Sequence, residues 1–93
     1  MKFRNSIDRE LHLMVSDGMR HVLRMCRDYE TLEDGAYVAI VRTSMRYYAT
    51  KVKRSRRMRV AAFVGGVSLD DIVNEEFERV YGAHIRMFAE KKA

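Results

Sequence analysis

The chain contains no proline and a single cysteine, and between Gly35 and Gly65 it has no glycine, proline, asparagine or aspartate. Each absence removes a class of structure. Without turn formers in that interval, a β-meander through AYVAIV and YYATKV would lack its turns. Cys26 has no partner in the chain for a disulfide, which points to a reducing, cytoplasmic setting. No apolar run approaches the roughly 20 residues that cross a bilayer, so no membrane partner is expected. The start, MKFRNSIDRE, is polar and charged at once and has no signal-peptide core. Catalytic motifs are missing too: there is no Walker loop, GxGxxG, HExxH, CxxC or GxSxG. The expectation is a protein that is not an enzyme and takes no cofactor and no metal.

What is present is helix-forming and basic. Of 93 residues, 47% are hydrophobic, which argues against disorder, and 18 Lys and Arg outnumber 13 Asp and Glu for a net charge of +5. Arg, Met, Ala and Glu are abundant and favour helix. The reading is an all-α single domain over 1–93, a small bundle of three long helices plus a short helical segment before the third. Helices are expected near 6–29, 32–55 and 68–90. A chain this short is marginally stable alone, so a homodimer is a natural way to complete its core.

Asn5 or Ser6 caps the first helix, and Ile7, Leu11, Met14, Val15, Gly18, Val22, Met25 and Tyr29 hold its apolar face. Gly18 lies mid-face, where the missing side chain invites a close helix crossing or an oligomer contact. Thr31 and Asp34 resemble a capping box for the second helix, which places its start near Leu32. Tyr37, Val38, Val41, Met45, Tyr48, Ala49 and Val52 form its stripe. Were it unbroken past Ser55, Arg56 and Arg59 would rotate into that stripe, so the helix bends, ends or projects there. Gly65-Gly66 stops the short segment, and Ser68 with Asp71 caps the third helix. Its inner face is Leu69, Val73, Phe77, Val80, His84, Met87 and Phe88.

The stretch Arg42 to Arg59 carries eight Lys or Arg and no acid. At about 100° per residue, Arg42, Arg46, Lys53 and Arg57 share one sector beside the apolar stripe. That ridge would run about 22 Å, long enough for several phosphates. Arg54, Arg56 and Arg59 add charge, and Tyr47, off both faces, could stack on a base. These residues make nucleic acid, or an acidic protein surface, the expected partner. A merely solvated helix usually interleaves acids at i,i+4, and this one does not.

Other constellations carry less. VAAFVGGVSLDDI resembles the centre of a helix-turn-helix, but Asp70, Asp71, Glu75 and Glu76 would face phosphates they repel. Asp8, His12 and Ser16 share a helical row, and along an exposed helix they lack the oxyanion donors and pocket of an acyl-transfer triad. His12 and His21 project to opposite sides, and His84 reads as a core or interface histidine. The methionines read as core filling.

Overall fold

The computed structural model describes residues 3–92, and these are all-α. Helix α1 spans Ser6–Met25, a 3-10 turn follows at Arg27–Thr31, and α2 spans Asp34–Arg54, α3 Arg56–Val64 and α4 Leu69–Lys92. The expected arrangement is matched only roughly. The first helix stops four residues early, where the chain tightens into the 3-10 turn, and the capping box at Thr31 does not form. Glu33 caps α2 instead, accepting the Gly35 N–H at 2.8 Å.

The other ends follow the local chemistry. Asn5 Oδ1 accepts the Asp8 N–H at 2.9 Å, while its amide donates to the Gly65 carbonyl at 2.9 Å, so one side chain caps α1 and ties it to the end of α3. Ser55 is the whole joint between α2 and α3. Its N–H reaches Val52 O, and its hydroxyl accepts from Met58 N at 3.3 Å, so it closes one helix and opens the next. At the far end of α3, Gly66 takes φ +66°, and bonds from Gly66 N to Phe63 O and Val67 N to Ala62 O complete a Schellman stop. Ser68 Oγ then accepts from Asp71 N at 3.2 Å to start α4.

Three long helices enclose the core. Tyr48 of α2 lies against Gly18 of α1, and Lys53 and Tyr37 of α2 reach Asn74 and His84 of α4, so α2 runs antiparallel to both neighbours. His12 and Ser16 of α1 meet Glu76 and Arg79 of α4, so those two helices run parallel. Tyr37, Val41, Met45, Ala49 and Val52 fill the centre against Leu11, Val15 and Met19 of α1 and Ile72, Val73 and Val80 of α4. The body measures 44 × 25 × 16 Å, and α3 closes one end of it.

The apolar face of α1 is rotated from its sequence reading. Met14 (54% exposed), Met25 (65%) and Tyr29 (48%) stand outside, whereas Met19 and Cys26 are buried. The reason is that α1 packs on two helices at once. The side of α1 turned to α4 is polar, with Asp8, His12 and Ser16 all buried, so hydropathy shows only half of the buried arc. Met87 of α4 is likewise outside.

Candidate nucleic-acid interface

The break at Ser55 divides the expected ridge. Arg42, Arg46, Lys53 and Arg54 belong to α2, and Arg56, Arg57 and Arg59 to α3, so the cations follow a bent edge rather than one straight row. Arg42, Arg46, Arg54, Arg56, Arg57 and Arg59 are exposed. Lys53 is half-buried and donates to Asn74 Oδ1 at 2.8 Å, which places that border of α2 beside α4. Among the described residues, none of these side chains, nor Lys51, has a carboxylate within ion-pair distance.

Tyr47 stands on the opposite border of α2. The residue is 67% exposed and lines a groove against α1, with the Lys51 ammonium 5.5 Å from its ring centroid. An exposed contact of that kind is worth about 0.5–1 kcal/mol, less than the about 1–3 kcal/mol of a base stacked on an aromatic ring. Gly18 lies on the same side: a Cβ there would fall 1.7 Å from the Tyr48 hydroxyl, so the glycine makes room for that ring where α1 crosses α2.

Sequence reasoning missed the outer face of α3. Phe63 is 87% exposed, with Val60 and Val64 beside it, among Arg56, Arg57 and Arg59. A nine-residue helix with Met58, Ala61 and Ala62 inward leaves its larger apolar groups outside. Apolar periodicity marks a stripe without saying which side of a short helix faces in.

Asp8, His12 and Ser16 require a correction, since they are not an exposed row but part of a buried network between α1 and α4. His12 Nδ1 lies 2.7 Å from Glu76 Oε2 and His12 Nε2 lies 3.4 Å from Asp8 Oδ1. The Arg79 guanidinium donates to Ser16 Oγ at 3.1 Å and pairs with Glu76. The Arg4 N–H donates to Asp8 Oδ2 at 2.9 Å. Both ring nitrogens of His12 face carboxylates and Ser16 Oγ accepts from Arg79, so histidine and serine are not arranged as base and nucleophile. No buried side-chain polar atom among the described residues is left without a partner. Glu76 therefore does not join Asp70, Asp71 and Glu75, which are exposed at the start of α4.

His84, on the inner side of α4, forms a hydrogen bond with the Tyr37 hydroxyl at 2.9 Å. Burial pushes its imidazole below the ordinary value of 6.5, against the opposing pull of Glu30, and burial pushes the Tyr37 phenol upward. Both shifts favour the neutral forms, and the His84 tautomer sets which of the two groups donates. Among the described residues, no group of three His, Cys, Asp or Glu could hold a metal ion, and no helix is long and apolar enough to cross a membrane.

Compared with known protein families, curated proteins and solved structures, the chain matches none.

Proposed function

We propose that this chain is a non-enzymatic binding protein that lays the cations of α2 and α3 on nucleic-acid phosphates, as a regulator or accessory factor. One observation carries the reading: from Arg42 to Arg59 the chain presents eight cations and, among the described residues, no acid pairs with any of them. Unpaired charge on this scale raises the free energy of the isolated protein and is relieved when phosphates replace small counterions. Phosphate contact positions a protein without reading sequence, so recognition is sequence-tolerant. A cytoplasmic setting fits the lone, buried Cys26 thiol.

The test replaces Arg42, Arg46, Arg54 and Arg57 by Gln, all exposed positions outside the core. The variant keeps the parent's circular dichroism and loses nucleic-acid affinity, and its log-affinity against log-salt slope shrinks by about 3. A folded variant with the parent's affinity and slope would falsify the proposal.

A second reading, docking on an acidic protein surface, is favoured by the exposed Phe63, Val60 and Val64, for which a phosphate backbone offers no apolar counterpart. Under that reading the parent shows no salt-dependent binding to any nucleic acid, and Phe63→Ser disrupts a protein complex.

A further inference from the structure

The groove beside Tyr47 differs in its lining from the two depressions beside α3. Met25 and Tyr29 form one wall, and Thr43, Ser44, Tyr47 and Lys51 of α2 form the other. No carboxylate lines it. By contrast, the groove under α3 includes Asp70, and its neighbour includes Asp8, Asp71 and Glu75. Met25, Tyr29 and Tyr47 are exposed there, so the groove offers apolar and aromatic surface, two hydroxyls and a cation in one place.

Resting on the phosphate-binding reading above, we infer that this groove takes an unpaired base of a single-stranded nucleic acid, stacked on Tyr47, with Lys51 on the adjoining phosphate. The chemistry of the walls selects that occupant. A stacked base needs a flat apolar face, which Tyr47 supplies, and its phosphate needs a cation within one helical turn, which Lys51 supplies at i+4. In a duplex the faces of the bases are covered by their neighbours, so a double-stranded partner would use the arginines and leave the groove empty. Thr43 and Ser44 can donate to or accept from any base edge, which keeps recognition tolerant of sequence.

Fluorescence anisotropy separates the possibilities with four labelled probes of about 12 nucleotides, within the range that single-strand sites cover. They are oligo(dT), oligo(rU), an abasic deoxyribose-phosphate strand of equal charge, and a duplex. Oligo(dT), oligo(rU) or both should bind more tightly than the abasic strand by about 5- to 100-fold, and Tyr47→Ala should bring them to the abasic level while Tyr47→Phe retains most of the affinity. A preference for one of the two base-bearing strands identifies DNA or RNA as the source. If abasic and base-bearing strands bind alike and Tyr47→Ala changes nothing, or if the duplex binds best, the groove assignment is overturned while phosphate binding stands. Absence of salt-dependent binding to all four probes overturns both. Tyr47 lies outside the core, and unchanged helicity of each variant confirms that binding alone was altered.

Discussion

At the scale of single residues, Gly18 and His84 show how position sets the effect of a side chain. Gly18 costs α1 about 1 kcal/mol of helix propensity relative to alanine, yet its missing Cβ is the space the Tyr48 ring occupies. Gly18→Leu should therefore lose about 1–3 kcal/mol by overpacking, although leucine is the better helix former. Tyr48→Ala in the same chain should recover part of that loss, and a double-mutant cycle in urea reads the coupling. Equal stability of Gly18→Leu and parent would remove Gly18 from the crossing. His84 has a folded pKa below its unfolded value of 6.5, so the unfolded chain takes up its proton first as the pH falls. Its contribution is thus complete above about pH 6.5 and declines as the pH falls from there through the lower, folded value. The urea midpoint of the parent should drop between pH 7.5 and pH 5 by more than that of His84→Gln, with the difference isolating this imidazole from the carboxylates. Identical drops would show that His84 is not linked to folding.

At the scale of elements, Ser55 decides the shape of the basic edge. It does so because a continuous helix would carry Arg56 and Arg59 onto the side that Met45 and Val52 bury. A serine that can cap the next helix offers a way out of that conflict, and both the break and its location were legible from the helix wheel. Ser55→Ala removes the acceptor for Met58 N and should lose about 1 kcal/mol without raising helicity, because burial of the arginines still opposes fusion. An increase in helical signal, with α2 and α3 joined, would contradict that account. The faces of α2 and most of α4 were legible for a related reason: their buried residues are apolar and recur at helical spacing. The face of α1 was legible only in part.

At the scale of the whole molecule, the buried network joins α1 to α4 across positions more than sixty residues apart. Glu76 is 1% exposed and is bonded to both His12 and Arg79, so Glu76→Ala leaves the buried His12 Nδ1 and the Arg79 guanidinium without their carboxylate. It should cost about 3 kcal/mol or more, measured as a loss of urea stability, whereas replacing Asp8, His12 and Glu76 together by apolar residues of similar volume should cost much less. A Glu76→Ala protein as stable as the parent would show that the cluster contributes nothing. What the sequence by itself determined was what local chemistry controls: helical content, the caps at Asn5 and Ser68, the stop at Gly65-Gly66, the break at Ser55, and the acid-free basic stretch. Only the tertiary structure decided which charged residues are buried, how the basic edge bends, and that Tyr47 and Lys51 share a groove while Phe63 points outward. The physical reason is that a helix wheel shows neighbours within one helix. A buried Asp8 or Glu76 is tolerable only because a side chain from another helix satisfies it, and that partner is specified by packing rather than by spacing along the chain.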